Sequence, residues 1–299
     1  MIKHLLVPLD GSPLAESVLP AAASLAKKIN TDITLIHIIE KDAPDKVHGQ
    51  RHLTSPMQAN KYLSSIAGLE ILKGIDIELH VHEESVVNVP QSIVDHTKEL
   101  HQDLIVMCTH GSTGLHGMLF GSIAQQVISF GKKPVLLINP LRKNLINDYS
   151  FSNFLIPLDG NPDHELALDD ALWLAKICGA GIHLLMAIPQ FGNMSGGFTA
   201  ANRFLPGTTS RMMDMIVPDA MEYLGKVRKK LEQPGIKVSV SSSRNNPANA
   251  IIDTAKNINA DLIILATHGT KGAEAFWEGS ITPRISKSSK IPLLLVPVQ

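Results

Sequence analysis

The sequence lacks most of the features that would point to secretion or to a nucleic-acid surface. It has only two cysteines, Cys108 and Cys178, which lie in apolar contexts in different halves, so we expect reduced, buried thiols rather than a disulfide. The 27 Lys and Arg residues nearly balance the 28 Asp and Glu residues, which leaves a net charge of −1. This balance gives no electrostatic reason to expect nucleic acid or an anionic membrane as a partner.

Long hydrophobic runs are also missing. The longest apolar stretches, such as Ile291–Val298, are far shorter than the roughly 20 residues that a helix needs to cross a bilayer. Asp10 interrupts the apolar N-terminus before the core of a signal peptide could form, so we expect no secretory signal. These absences predict a cytoplasmic protein without a membrane segment.

The composition that remains is typical of a globular α/β protein. Of the 299 residues, 44% are hydrophobic and 18% are charged, which excludes a disordered chain. At roughly 150 residues per domain the length predicts two domains. We place them at residues 1–140 and 151–299, joined by a polar linker around Leu141–Ser150.

Two motifs occur twice in the chain. Leu6–Gly11 (LVPLDG) returns as Leu155–Gly160 (LIPLDG), and Thr109–Ser122 (THGSTGLHGMLFGS) returns as Thr267–Ser280 (THGTKGAEAFWEGS). The interval between the motifs is longer in the second half, and the Gly-rich stretch Gln190–Arg211 is the obvious place for the extra residues. We expect this insert to be an irregular loop, with a lid or a partner surface as the alternative.

Strands alternate with helices in both halves, which predicts parallel sheets with helices on both faces. Ser12 and Pro13 are a typical N-cap and first helical residue, and Asn161 with Pro162 repeats this pattern. The predicted strands of the two halves are Lys3–Leu9, Asp32–Ile39, Ile75–His82, Leu104–Met107, Pro134–Ile138, Phe154–Leu158, Ile182–Ile188, Ile236–Ser242, Leu262–Ala266 and Leu293–Val296. Ligands of such sheets bind beyond the carboxyl ends of the strands, where both repeated motifs lie.

The two repeated Gly-bearing stretches are called here the first Gly loop (Thr109–Ser122) and the second Gly loop (Thr267–Ser280). Each of them joins a buried strand to the start of a helix. Backbone N–H groups and the positive end of a helix dipole meet there, so the loop predicts a phosphate site. The plainer interpretation of Ser122 is a capping box with Gln125, which leaves its backbone N–H available. Asp10 and Asp159 have an alternative role as turn formers, because Asp-Gly is a common turn pair.

These motifs resemble the universal stress protein family, and the whole chain resembles a tandem of two such domains. ATP-binding members carry Gly, two residues, Gly, nine residues and then Gly-Ser or Gly-Thr. Gly111 with Gly121-Ser122 fits the later part of this pattern, as does Gly269 with Gly279-Ser280. The small residues Cys108 and Ala266 replace the first Gly of the two copies.

The resemblance implies two five-stranded parallel sheets of order 3-2-1-4-5 that bind ATP with Mg²⁺. In the first half it implies that Pro8 and Asp10 line the adenosine pocket and that the Ile38 backbone meets the adenine edge. The residues implied to hold ribose and phosphates, at the end of the fourth strand and along the Gly loop, are Cys108, Gly111, Gly121, Ser122 and Ile123. The matching positions of the second half are Pro157, Asp159, Ala187, Gly269, Gly279, Ser280 and Ile281.

The second copy of the Gly loop is a poorer phosphate site by its sequence. Pro283 removes one N–H from the first turn of the following helix, which could otherwise face an anion. Glu274 and Glu278 add negative charge, and only Lys271 offsets it within the loop. We therefore favour a retained fold with a lapsed site there, and ATP binding as the alternative.

Three classes of function remain open at this point. The leading hypothesis is an ATP-binding stress-response protein, and the alternatives are a slow ATPase or other nucleotide-dependent enzyme, and a nucleotide-free scaffold or binder of another small ligand. No evident general base, catalytic Lys in the first Gly loop or metal carboxylate pair is present in the sequence, so we expect no efficient hydrolysis. The resemblance also implies pairing of the two halves through their fifth strands, and leaves a further homodimer open.

The spacing of the histidines is only weak evidence for a metal site or a helical pair. His80 and His82 would share one face of a strand, but further ligands cannot be located, so we predict no metal site formed by protein alone. For His48 and His52 we expect a solvated loop rather than a helical pair.

Overall fold

A computed structural model describes residues 2–43, 46–47, 50–109, 122–140, 149–188, 206–268 and 281–298. The chain divides into two compact units, one formed by Met1–Ser150 with Ala266–Gln299 and the other by Phe151–Leu265. These units differ from the predicted domains in the assignment of the C-terminal segment, and the predicted domain boundary stays a prediction.

The described elements alternate between strand and helix, as the sequence predicts. The strands are β1 (His4–Pro8), β2 (Asp32–Glu40), β3 (Lys46–Val47), β4 (Gln50–Arg51), β5 (Ile77–Val86), β6 (Leu104–Cys108), β7 (Val135–Ile138), β8 (Asn153–Leu158), β9 (Gly181–Ile188), β10 (Val238–Arg244), β11 (Leu262–His268) and β12 (Leu293–Val298). The α-helices are α1 (Pro13–Glu16), α2 (Leu19–Ile29), α3 (Pro56–Ala67), α4 (Val89–Glu99), α5 (Ser122–Phe130), α6 (Ala167–Cys178), α7 (Pro206–Leu231), α8 (Pro247–Asn257) and α9 (Thr282–Ser288). Short 3₁₀ turns lie at Glu70–Leu72 and Pro162–Leu166.

The main sheet of the first unit is parallel in the order β5-β2-β1-β6-β7. Counted along the first half of the chain, this is the predicted order 3-2-1-4-5, which the structure confirms. β12 pairs antiparallel with β7 at the edge of this sheet. This pairing connects the fifth strand of the first sequence half with the fifth strand of the second, as the resemblance implied. The short strands β3 and β4 form a separate hairpin that the sequence did not predict.

The second unit repeats the same pairing. Its strands are parallel in the order β10-β9-β8-β11, which corresponds to 3-2-1-4 in the second half. The repeated motif Leu155–Gly160 therefore includes the end of β8 and the turn after it, in the same way as Leu6–Gly11 includes the end of β1 and its turn.

Burial explains why these apolar runs form central strands. All seven residues from Ile33 to Ile39 in β2 are buried, which requires cover on both faces of the sheet. The helices α2, α3 and α4 pack against β2 and supply that cover. In β1, Leu5, Leu6 and Val7 are completely buried and form the centre of the first core.

Apolar residues recur at helical spacing from Leu14 to Ile29, which predicts one continuous helix, but the structure divides this stretch into two helices. Ser12 is the N-cap, as predicted, and its Oγ accepts a hydrogen bond from Ala15 N at 3.2 Å. Pro20 then lies in the first turn of α2, and without an N–H it cannot continue the hydrogen bonds of α1. The helical stripe from Leu14 to Ile29 is therefore divided between α1 and α2.

The structure also bears on the predictions for the insert, the cysteines and a membrane segment. Helix α7 begins at Pro206, so the end of the insert Gln190–Arg211 is helical rather than irregular, and residues 189–205 lie outside the described residues. Neither cysteine forms a disulfide, as predicted, but Cys108 and Cys178 are half-buried rather than buried. Within the described ranges, no helix combines the length and apolarity that a membrane crossing requires.

Candidate functional site

The carboxyl ends of β1, β2 and β6 lie side by side because these three parallel strands are neighbours. The chain passes from β1 to β2 on one side, and β6 later joins β1 on its other side. The order of strands therefore reverses between β1 and β6, which is where open α/β sheets bind their ligands. Pro8 ends β1 and Cys108 ends β6, so both predicted residues flank this position.

Asp10 closes the turn that leaves β1. Its Oδ1 accepts a hydrogen bond from Ser12 N at 2.8 Å, and the side chain is half-buried. Gly11 has a φ of 86°, a conformation that residues with a Cβ rarely adopt. A Cβ at Gly11 would also lie 3.1 Å from Leu53 Cδ1, so this turn is packed under the segment that precedes α3.

Tyr62 supports the same turn from α3. Its hydroxyl donates to Glu16 Oε1 at 3.0 Å, which ties α3 to the end of α1. Burial, reinforced by the Glu16 carboxylate, raises the pKa of Tyr62, while a backbone hydrogen bond from Gly11 acts in the opposite direction. The phenol therefore stays protonated and keeps its donor role. Sequence reasoning missed this pair, because the two residues are far apart in the chain.

The backbone of Ile38 lies where β2 extends beyond β1. The last register pair of these strands is Pro8 with Ile36, and Leu9 N then donates to the Ile36 carbonyl at 2.9 Å. Residues two apart in a strand point their backbone N–H and carbonyl groups to the same side of the strand. Ile38 therefore faces the same side as Ile36, towards β1, but at a level beyond the last residue of β1. The register with β5 also shifts between Ile38 and Glu40, and such bulges are frequent beside binding sites.

The first Gly loop is described only at its two ends. Thr109 follows β6 and is buried, and its N–H donates to the Ile138 carbonyl at 2.9 Å. Ser122 and Ile123 open α5 and are exposed, so their N–H groups lie in the first turn of the helix. Ser122 is the first helical residue rather than the predicted N-cap, a difference of one position. The predicted Gly111 and Gly121 lie outside the described residues.

The second half places its predicted residues at equivalent strand ends. Pro157 and Asp159 lie at the end of β8, and Ala187 lies near the end of β9. Asp159 is exposed, and its Oδ1 accepts from Asn161 N at 3.0 Å and pairs with His164 Nδ1 at 2.8 Å. Residues 269–280, which include the predicted Gly269, Gly279 and Ser280, lie outside the described residues.

The helix that follows the second Gly loop is short. Helix α9 spans only Thr282–Ser288, and Pro283 occupies its first turn and is buried. Ile281 immediately precedes this helix and is half-buried. The observed place of Pro283 is the one that the sequence predicts.

The turn after β8 has its own tyrosine and glutamate. Tyr223 donates to Glu165 Oε1 at 3.0 Å, and Lys230 Nζ lies 3.0 Å from Glu165 Oε2. Burial and the Glu165 carboxylate raise the pKa of Tyr223. Since Glu16 and Glu165 occupy matching places after the repeated Asp-Gly turns, this support is duplicated together with the fold.

Two histidines beside the first turn were not anticipated as site residues. His37 is buried in β2, with Nδ1 2.7 Å from the Leu9 carbonyl and Nε2 3.3 Å from the Leu53 carbonyl. His52 is only 6% exposed, so the prediction of a solvated loop is wrong for this residue, while His48 lies outside the described residues. The signal that sequence reasoning lacked is the packing of Leu53 against Gly11, which brings this segment over the strand ends.

A third histidine joins the pair on β5. His80 and His82 share a strand face, as predicted, and their ring centroids lie 4.8 and 4.9 Å from that of His96 on α4. Burial lowers the pKa of His80, and His96 and His82 lower it further while Glu99 opposes them. In the part of the chain that the structure describes, no group of three His, Cys, Asp or Glu side chains is arranged to hold a metal ion.

Several known proteins are similar to this chain in sequence. The model of the universal stress protein family matches residues 1–139 and again residues 150–297. A universal stress protein of Methanocaldococcus jannaschii is 28% identical over 160 residues, covering 54% of this chain and 89% of that protein. One from Mycolicibacterium smegmatis is 23% identical over 324 residues, covering 98% of this chain and 96% of its own length.

A solved structure extends this likeness to the fold of the whole chain. The crystal structure of a universal stress protein from Archaeoglobus fulgidus has a TM-score of 0.66 and 18% identity, and covers 99% of this chain and 98% of that one. At this identity the likeness concerns the fold alone. The two family matches together span nearly the whole sequence, and the chain therefore belongs to the universal stress protein family as a tandem of two such domains.

Proposed function

We propose that this protein binds ATP with Mg²⁺ at the strand ends of its first half and acts as a nucleotide-responsive stress factor in the cytoplasm. The observation that carries the proposal is the extension of β2 past β1. It leaves the Ile38 backbone beside the Asp10 turn at the reversal point of the sheet. This arrangement offers backbone groups for a base edge and a carboxylate for an N–H or O–H of the adenosine.

The start of α5 suits the phosphates of such a ligand. The helix spans Ser122–Phe130 and follows the first Gly loop, so its first N–H groups and its dipole favour an anion. Its first turn contains no acidic residue that would repel phosphate. Under this proposal Gly111 and Gly121 let the backbone of the loop approach the phosphates closely.

The same reasoning predicts a weaker site in the second half. Asp159 is exposed and already pairs with His164, so a ligand would have to compete for its carboxylate. Helix α9 has only seven residues, and Pro283 removes one N–H from its first turn. We therefore propose one ATP site per chain.

Calorimetric titration of nucleotide-stripped protein with Mg-ATP tests this proposal. We expect saturable heat with a stoichiometry near one per chain. Two sites per chain would show that the second half also binds, and no heat at several temperatures together with no competition by ADP or AMP would exclude the nucleotide proposal.

A turnover assay separates binding from the enzyme alternative. Under the proposal the purified protein hydrolyses ATP at most slowly, and replacing Gly121 by a bulky residue abolishes binding by filling the loop. Many turnovers per minute that disappear in the Gly121→Phe variant would instead make the protein an ATPase.

A further inference from the structure

His52 is a buried side chain in the first unit that makes no hydrogen bond to any residue that the structure describes. It follows β4 and precedes α3, and it is 6% exposed. Among the described residues neither Nδ1 nor Nε2 of His52 has a hydrogen-bond partner. Burying a polar ring without partners costs free energy that a hydrogen bond normally offsets, and such groups are rare in folded proteins. The unpaired nitrogens are therefore suited to a partner that comes from outside the chain.

The position of His52 in the fold indicates which partner could bind its ring nitrogens. The neighbouring Leu53 lies against the turn after β1, with its Cδ1 3.1 Å from the position of a Cβ on Gly11. The Leu53 carbonyl also lies 3.3 Å from His37 Nε2, while His37 Nδ1 is 2.7 Å from the Leu9 carbonyl. These contacts hold the segment with His52 over the carboxyl ends of β1 and β2.

The charges around His52 agree with this place and indicate its protonation state. Burial lowers the pKa of His52, Glu40 opposes that effect, His37 adds to it, and Asp10 opposes it more weakly. Asp10 and Glu40 therefore lie within electrostatic range, at the ends of the two strands that frame the proposed nucleotide site. With its pKa lowered, the ring is neutral near pH 7 and offers one N–H donor and one acceptor nitrogen.

We propose that His52 hydrogen-bonds the purine base of the nucleotide at the first-half site and contributes specificity for that base. An adenine edge presents an amino donor and ring-nitrogen acceptors, so a neutral imidazole can make one hydrogen bond to it, through either its N–H or its acceptor nitrogen. The inference rests on the proposed function, because it assigns a residue to the same site. The nucleotide, rather than the fold, is the hydrogen-bond partner of His52.

Substitution of His52 separates a ligand contact from a structural role. His52→Leu removes the polar ring and keeps apolar bulk, and His52→Gln keeps both a donor and an acceptor. We expect His52→Leu to weaken Mg-ATP binding about tenfold, the loss expected for one well-formed hydrogen bond to a ligand, and His52→Gln to recover part of it. Since His52→Leu loses no hydrogen bond among the described residues and removes a buried unpaired polar ring, the ligand-free variant should melt at the wild-type temperature or higher.

The ring nitrogens of His52 give a direct readout of contact. In protein with ¹⁵N-labelled histidine, the His52 signals are those missing from the His52→Gln spectrum. They should move when ATP is added and move alike with AMP, which carries the same base. His101→Asn is the matched control, because His101 is exposed in the turn before β6 and has a φ of 52° that Asn tolerates. This control should change neither ATP affinity nor melting temperature.

The outcomes distinguish this inference from the proposed function. If wild-type protein binds ATP while His52→Leu binds it equally tightly and the ring signals stay in place, the inference is wrong and the nucleotide site stands. If His52→Leu lowers the melting temperature of the ligand-free protein and the ring signals ignore ATP, His52 is structural and the inference is again wrong. If wild-type protein binds no nucleotide, both proposals fail.

Discussion

The turns after β1 and β8 share one backbone and differ in the chemistry around it. Gly11 and Gly160 both have a φ of 86°. In both turns the Asp Oδ1 accepts from the backbone N–H two residues later, at 2.8 Å from Ser12 and 3.0 Å from Asn161. The repeated Asp-Gly motif therefore specifies the same turn twice.

The surroundings of the two carboxylates are not repeated. Asp10 is half-buried beneath the segment that carries His52 and Leu53, whereas Asp159 is 59% exposed and pairs with His164. The comparison teaches that the motif encodes the turn, while residues outside the motif decide whether the turn can serve a ligand.

Replacing the two turn glycines should give the largest effect and should separate the turns by their packing. Alanine at either position adopts a left-handed φ at a cost of about 1 kcal/mol, which both variants share. At Gly11 the new Cβ also meets Leu53 Cδ1 at 3.1 Å, while at Gly160 the nearest atom is Met186 Cε at 3.7 Å. We expect Gly11→Ala to lose about 2 kcal/mol of unfolding free energy and Gly160→Ala about 1 kcal/mol, as measured by urea denaturation.

Equal losses in the two glycine variants would contradict the tighter packing at Gly11. Calorimetry on the same proteins adds a functional control, because Gly11→Ala should weaken ATP binding and Gly160→Ala should leave it unchanged.

The duplicated tyrosines provide a second, smaller contrast. Tyr62→Phe leaves Glu16 without the hydroxyl at 3.0 Å, whereas Tyr223→Phe leaves Glu165 with Lys230 at 3.0 Å. We expect Tyr62→Phe to cost about 1.5 kcal/mol of unfolding free energy and Tyr223→Phe about half of that, measured by urea denaturation. A larger loss for Tyr223→Phe would show that Lys230 does not compensate.

The smallest predicted effect concerns pH and compares a histidine of each half. The folded-state pKa values of His80 and His183 lie below the ordinary 6.5, chiefly because of burial. Below pH 6.5 the unfolded chain therefore takes up protons that the folded chain does not, so stability falls as the pH falls. We expect His80→Gln and His183→Gln each to reduce this loss by up to about 0.5 kcal/mol, because water screens these partly exposed rings; the measurement is the melting temperature between about pH 7.5 and 5.

His80 should be the more sensitive of the two histidines. The His80 ring centroid lies 4.8 Å from that of His96, with His82 nearby. Both of these imidazoles lower the pKa of His80, so protonation of the His80 ring is disfavoured. His183 lies between the hydroxyls of Ser239 and Ser241, each 2.8 Å from a ring nitrogen, which can accept from a protonated ring. A His183→Gln variant that flattens the pH profile more than His80→Gln would reverse this ranking.

The sequence predicted the elements that depend on local pattern. Apolar runs followed by Asp-Gly or by the Gly loop gave the central strands, and the family resemblance gave their order. The break at Pro20 was missed because the apolar stripe continues through it, although proline removes the hydrogen bond that a continuous helix needs. β5 extends to Val86, past its predicted end, because among the described strands it pairs only with β2 and so lies at the sheet edge, where Glu83 and Glu84 are tolerated.

The site was predictable only where it follows strand ends. Pro8, Asp10 and Ile38 come together because parallel strands end at one edge, which the sequence pattern already implies. The burial of His52 depends instead on contacts between segments, such as Leu53 with Gly11, and no local pattern specifies these.

The most direct test compares matched substitutions of the two aspartates. Asn is isosteric with Asp and can still accept the hydrogen bond that closes each turn, so Asp10→Asn and Asp159→Asn keep the turn but remove the charge and one acceptor oxygen. We predict that Asp10→Asn weakens Mg-ATP binding about tenfold in calorimetry, while Asp159→Asn leaves the affinity and a stoichiometry of one unchanged. Equal losses in both variants, or a loss in Asp159→Asn alone, would contradict a nucleotide site confined to the first half.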